Sequence, residues 1–313
     1  MISITLALPA FIVGVILLYK GSDILVDGTV KTAAQLGVSA LIISVILVGF
    51  GTSSPELAIS VGAAYQQNSE ISLGNIVGSC IANLFLVIGI SALIKPIQIK
   101  KKLIKREFPI LLGATLLFFI LTYFGLLDSN HIVGGLIFLI AFFVFLYFFL
   151  CCARKERSIS KTYEKNSSCR KSIMFILLGI GGVVVGAWLL IESAVALAHF
   201  LGIPAFIIAI SIVAIGTSLP ELVVSAMAAY KNESDVAIGN VLGSNVFNIC
   251  LILGIAALFI PLGALATLNH ITILLLLTVF MFPILLTGHI ISRKEGILLL
   301  AIYSTFMWYT FFW

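Results

Sequence analysis

The chain has 313 residues, of which 61% are hydrophobic and only 10% charged. A soluble globular domain carries about 25% charged residues, so this composition excludes a water-soluble fold, and the long apolar runs specify helices rather than a barrel. The net charge of +5 does not make a nucleic-acid surface, because the basic residues sit in loops and at helix ends, where they report topology.

In chain order, the first apolar run begins without a basic region and is not followed by a small-residue cleavage site. It is read as a retained helix, about Ile4 to Ala34 with a break near Gly21. A second span follows from about Ala40 to Gln66, broken around Gly51–Pro55, and a third from about Ser72 to Leu93. Spans four and five are expected at about Glu107–Phe124 and His131–Cys152. A basic, serine-containing linker, 153–171, is too short for a soluble domain and is read as a solvated connection, with contact to anionic lipid headgroups as the alternative. Spans six to ten are expected at about Ser172–Phe200, Ala205–Lys231, Val236–Ile260, Leu268–Thr287 and Gly296–Phe312. The fold class is an all-α integral membrane protein of ten transmembrane helices.

Residues 47–89 and 212–254 align without a gap at a constant offset of 165, with 19 of 43 positions identical. The chain therefore divides into a first repeat, 1–152, and a second, 172–313. Five spans per half is an odd number, so the halves enter the membrane from opposite sides and form two inverted five-helix repeats. With ten spans, Lys95, Lys100, Lys101, Lys102, Lys105, Arg106, the linker cations, Lys231, Arg293 and Lys294 all fall on one side. By the positive-inside rule that side is cytoplasmic and both termini lie outside.

Each repeat holds a carboxylate one residue after a proline, deep in an apolar segment, which is an expensive place for a charge without a function. Pro55 cannot donate to the carbonyl of Gly51, and its ring crowds that carbonyl, so the helix must kink or open there. Thr52, Ser53 and Glu56 can then place a hydroxyl, a carboxylate and freed carbonyls together, and Thr217, Ser218 and Glu221 repeat the arrangement. Ser79 and Asn83, like Ser244 and Asn248, are spaced i, i+4 and add a hydroxyl and an amide oxygen to one helix face. A set made only of oxygens suits hard cations such as Ca²⁺ and Na⁺ rather than zinc or copper. The glycine pairs Gly74/Gly78 and Gly239/Gly243 read as close helix packing, and Asn75 and Asn240 as interhelical hydrogen-bond partners. Asp23, Asp27 and Glu192 read as interfacial or helix-end residues that could also line an access path. The five cysteines show no metal spacing and are read as free thiols.

The two segments GTSSPE…GNIVGSCIAN and GTSLPE…GNVLGSNVFN resemble the alpha repeats of the sodium/calcium exchanger family, within the cation/calcium exchanger superfamily. The ten-helix plan extends the resemblance over nearly the whole chain, which looks most like the short prokaryotic members. It implies a secondary active antiporter, not an enzyme, with no cofactor. Helices 1 and 6 would slide over a core of the other eight, in the cytoplasmic (inner) membrane of a prokaryote, as a monomer. Carried across position by position, Glu56 and Glu221 would ligate both Ca²⁺ and Na⁺, joined at Ca²⁺ by the carbonyls of Thr52 and Thr217. Ser53, Ser79, Ser218 and Ser244 would complete flanking Na⁺ sites with the carbonyls of Gly49 and Ala214, and Asn83 and Asn248 would stand at the centre.

Some members of that family have an aspartate at one or both Asn positions, whereas here both are amides. Two carboxylates neutralise one Ca²⁺, and clustered carboxylates also raise each other's proton affinity. Na⁺/Ca²⁺ exchange is the expected function, Ca²⁺/H⁺ antiport the near alternative and a passive cation channel the more distant one. A serine hydrolase is disfavoured because neither motif supplies a histidine or lysine to activate Ser53 or Ser218.

Overall fold

The computed structural model describes residues 4–159, 169–201, 216–286 and 288–312. The expected start of the seventh span, the Ala214 carbonyl and linker residues 160–168 lie outside the described residues. The chain opens with α1 (Ile4–Leu36), followed by α2 (Ala40–Thr52), α3 (Ser54–Tyr65) and α4 (Ser69–Ile94). A two-residue strand β1 (Ile97–Gln98) leads through a π-helical turn, Leu103–Glu107, into α5 (Phe108–Tyr123). Then come α6 (His131–Ile159), α7 (Cys169–Phe200), α8 (Leu219–Tyr230), α9 (Ser234–Phe259) and α10 (Leu268–Leu286). Strand β2 (Ile290–Ile291) precedes α11 (Arg293–Phe312). Among the described residues six helices are long and apolar enough to cross a membrane, and α2 with α3 make a seventh, bent by 48°.

Three expectations need correction. The first helix is not broken near Gly21; α1 is continuous. A glycine in a bilayer helix keeps its backbone hydrogen bonds, and Gly21 instead allows close approach: a Cβ there would stand 2.8 Å from the Val183 nitrogen on α7. Gly14 does the same against Gly186, 2.9 Å from its carbonyl oxygen. Secondly, α6 runs past Cys152 to Ile159, so the first part of the expected linker is helical. Thirdly, the loops hold an antiparallel β1–β2 ladder, Ile97 opposite Ile291, that no local pattern announces.

Polar loop contacts gather in two groups that share no residue. In the first, Lys100 pairs with Asp235 at 2.6 Å, and Lys102 and Arg106 each reach Glu156 at 3.3 Å. The Ser39 amide donates to the same Glu156 at 2.8 Å, and Lys231 binds Asp23 and Asp27 at 2.6 Å each. In the second, the Asp128 carboxylate accepts from the amides of Ala264 (2.8 Å) and Leu265 (2.9 Å), and the Leu262 amide donates to the Leu127 carbonyl.

The main apolar core is built from α2, α4, α5, α6, α9, α10 and α11; among the described residues no side chain of α1 or α7 belongs to it. Leu18, Leu25, Ile176 and Val183 join a second cluster that touches the rest through Ile43, Val48, Val224 and Val236. The outer surface is apolar, with Ile140, Phe143 and Tyr147 on α6 all more than 60% exposed. Such a surface is stable in hydrocarbon and would be an aggregation hazard in water.

Candidate cation-binding site

The break between α2 and α3 falls at Ser53, whose ψ of 9° departs from helix, and Pro55 occupies the first turn of α3. Ser218, with ψ 7°, and Pro220 make the same break ahead of α8. One carbonyl expected to open toward the site is occupied otherwise: Gly51 accepts from the Ser54 hydroxyl at 2.7 Å. Helices α4 and α9 each loosen into a π turn at the facing level, Ala82–Val87 and Phe247–Ile252. These turns carry Asn83 and Asn248, and the widened backbone there is a feature often found at functional sites.

The structure brings the expected side chains together. Thr52, Ser53, Glu56, Ser79, Asn83, Thr217, Ser218, Glu221, Ser244 and Asn248 are all buried, none more than 5% exposed. Ser53 donates to Glu221 Oε1 at 3.1 Å, and Ser244 donates to the same oxygen at 3.3 Å. Ser79 donates to Glu56 Oε1 at 3.4 Å. Ser53 therefore serves the glutamate of the other repeat, not the one on its own helix face. The Thr52 hydroxyl lies 3.0 Å from Asn240 Oδ1 and 3.1 Å from the Val48 carbonyl, so its proton has two acceptors within reach. The Gly49 carbonyl accepts from Ser244 Oγ at 3.2 Å.

What remains unsatisfied defines the chemistry. Glu56 Oε2, Glu221 Oε2, Asn83 Oδ1, Ser218 Oγ and both polar atoms of the Asn248 amide have no hydrogen-bond partner among the described residues. Leaving one buried polar group unpaired costs about 1–3 kcal/mol, and more for a charged one. So many orphaned oxygens on adjacent helices fit a hard cation held by carboxylate, hydroxyl and amide oxygens. No group of three or more His, Cys, Asp and Glu side chains able to hold a metal occurs among the described residues, so any cation here must be bound by this mixed set.

Around the site, Asn75 Nδ2 donates to Ser60 Oγ at 2.9 Å, and Asn240 Nδ2 donates to Ser225 Oγ at 3.0 Å. Both are the interhelical braces expected of them. The close packing expected of both glycine pairs holds for Gly239 and Gly243 against α2, whereas among the described residues nothing lies within 4 Å of a Cβ at Gly74 or Gly78, which line a cavity of about 600 Å³. Asp23 and Asp27 clamp Lys231 just beyond α8. Burial opposes the charge on Lys231, but its hydrogen bonds to Asp23 and Asp27 outweigh that and raise its pKa. Asn245 escaped sequence reasoning. It accepts from Asn83 Nδ2 at 3.0 Å and donates to the Cys80 carbonyl at 3.1 Å. The only hint was that it stands where the first repeat has Cys80.

A family model described as sodium/calcium exchanger protein matches residues 6–151 and 171–312. The chain belongs to the sodium/calcium exchanger family. It is 34% identical over 351 residues to the sodium/calcium exchanger MaX1 of Methanosarcina acetivorans, covering 97% of this chain and 98% of MaX1. It is 36% identical over 294 residues to the membrane protein MJ0091 of Methanocaldococcus jannaschii, with 94% of each chain covered. A structure of the sodium–calcium exchanger NCX_Mj, soaked with 2.5 mM Na⁺ and 0.1 mM Sr²⁺, superposes with a TM-score of 0.82 at 34% identity, covering 96% of this chain and 98% of that one. As a family member the chain is a multi-pass membrane protein for cation exchange, and the breaks at Ser53 and Ser218 lie inside the matched segments.

Proposed function

We propose that this exchanger is a secondary active antiporter that moves Ca²⁺ against Na⁺ by alternating access at a site near the membrane midplane. The observation that carries this is the pair of fully buried glutamates, Glu56 and Glu221, each with one carboxylate oxygen free of any protein partner among the described residues. Glu56 and Glu221 bind Ca²⁺ and Na⁺ in turn, with the Thr52 and Thr217 carbonyls at the Ca²⁺ position. Ser53, Ser79, Ser218, Ser244 and the carbonyls of Gly49 and Ala214 serve Na⁺, and Asn83 and Asn248 serve the centre. Ten spans in two inverted repeats, 1–152 and 172–313, enclose it, with the basic end in the cytoplasm of a prokaryotic cell and both termini outside.

The moving unit is α1 with α7. Their glycine seam holds the two together, and their buried side chains stand outside the main core, in a cluster shared with α2, α8 and α9. Sliding of packed helices of this kind is a recognised route to alternating access.

A second reading, Ca²⁺/H⁺ antiport through the same site, is favoured by the two central amides. With Asn83 and Asn248 neutral the carboxylates supply a charge of −2, which one Ca²⁺, two Na⁺ or two H⁺ cancel. A third Na⁺ would leave a net positive charge in a low-dielectric centre, at a cost. The test is ⁴⁵Ca²⁺ uptake into proteoliposomes under an imposed Na⁺ or H⁺ gradient. Uptake driven by outward Na⁺ supports the first reading, and uptake driven only by H⁺ replaces it with the second. Uptake that needs neither counter-ion would make the protein a channel.

A further inference from the structure

We propose that Asn245 is a positioning residue that fixes the Asn83 amide with its carbonyl oxygen, rather than its NH₂ group, turned to the cation. This inference rests on the proposed site and extends it. An asparagine in a cation site can face the ion with an oxygen or with an NH₂, and only the oxygen can ligate. Asn83 Nδ2 donates to Asn245 Oδ1 at 3.0 Å, and Asn245 is itself held because its Nδ2 donates to the Cys80 carbonyl at 3.1 Å. All three residues are fully buried. Asn245 Oδ1 can pair only with a donor, so a flipped Asn83 would set two carbonyl oxygens against each other in a dry interior. With Nδ2 committed, Asn83 Oδ1 is the end left without a partner, and Asn83 sits one turn from Ser79, whose hydroxyl donates to Glu56.

The repeat-related amide has a weaker brace. Asn245 corresponds to Cys80, whose thiol is a weak hydrogen-bonding group. Asn248 accordingly meets only the Cys80 thiol, and neither of its polar atoms makes a hydrogen bond of ordinary geometry among the described residues. The two central amides therefore differ: Asn83 is set by an amide, whereas Asn248 faces only a weakly bonding thiol.

The test is a double-mutant cycle read by ⁴⁵Ca²⁺ binding to the purified full chain in detergent. Losing one orienting hydrogen bond is worth roughly tenfold in affinity. Asn245→Ala should raise the Ca²⁺ Kd about tenfold, Asn83→Ala at least as much, and the double variant no more than Asn83→Ala alone. In an Asn83→Asp background Asn245→Ala should cost nothing, because a carboxylate presents oxygen whichever way it turns. Effects that multiply in the double variant, or wild-type binding by Asn245→Ala, would overturn the proposal. If Asn245→Ala does not fold, Asn245→Leu, of similar size and without an acceptor, enters the same cycle with the same two outcomes. The site reading fails separately, through unchanged Ca²⁺ binding in Glu56→Gln.

Discussion

Gly243→Ala tests whether the contact between α9 and α2 sets the geometry of the site. A Cβ at Gly243 would stand 2.4 Å from the Val45 carbonyl oxygen and 2.9 Å from Val45 Cα, against an ordinary contact of 3.4 Å or more. Both partners are backbone, so no rotamer change relieves the overlap and the helices must part by about 1 Å. Overpacking of this kind costs about 1–3 kcal/mol, from which the better helix propensity of alanine returns at most about 1 kcal/mol. Ser244, the next residue, moves with the strain. Its bonds to Glu221 Oε1 (3.3 Å) and to the Gly49 carbonyl (3.2 Å) are already long and would pass out of range. The variant should unfold several degrees lower in a thermal scan in detergent and bind Ca²⁺ about tenfold more weakly, each 1.4 kcal/mol being a factor of ten. Gly113→Ala is the control, since that glycine is exposed with nothing within 4 Å of its added Cβ. Wild-type melting and binding for Gly243→Ala, or equal damage from Gly113→Ala, would refute the packing argument.

Glu56→Gln and Glu221→Gln should each abolish ⁴⁵Ca²⁺ transport while the protein stays monodisperse, because one carboxylate cannot neutralise a divalent ion; exchange at the wild-type rate by either variant would displace the site. Cysteines introduced at Asn68 and Asn130 should react with an impermeant thiol reagent from outside the cell and one at Ser160 only after permeabilisation, and outside labelling at Ser160 would invert the orientation. Lys231→Met should destabilise the protein by about 1 kcal/mol at low salt and less at high salt, as partly exposed ion pairs do; no change in melting temperature at low salt would mean that the clamp contributes nothing. Since the pKa of Lys231 is raised in the folded state, the clamp's contribution should persist below the lysine's unfolded pKa and disappear as pH rises through the folded one, which melting curves across alkaline pH would reveal.

The apolar runs, the duplication, the proline breaks and the buried oxygen-bearing side chains around them were all legible in the residues, because each follows from local chemistry. A proline removes a donor wherever it sits in a helix, and a buried glutamate requires a reason in any context. The sequence misled at Gly21, because a glycine that breaks a helix and one that admits a neighbour look alike until the neighbour is known. Pairing between repeats was likewise hidden: only the folded chain shows that Ser53 serves Glu221, that the Thr52 hydroxyl reaches Asn240 and that Lys231 finds Asp23 and Asp27. The role of Asn245 and the inequality of Asn83 and Asn248 belong to the same class. Spacing along one helix decides which residues share a face, but which of two equivalent oxygens or amides is satisfied depends on groups some 160 residues away, and that only close packing decides.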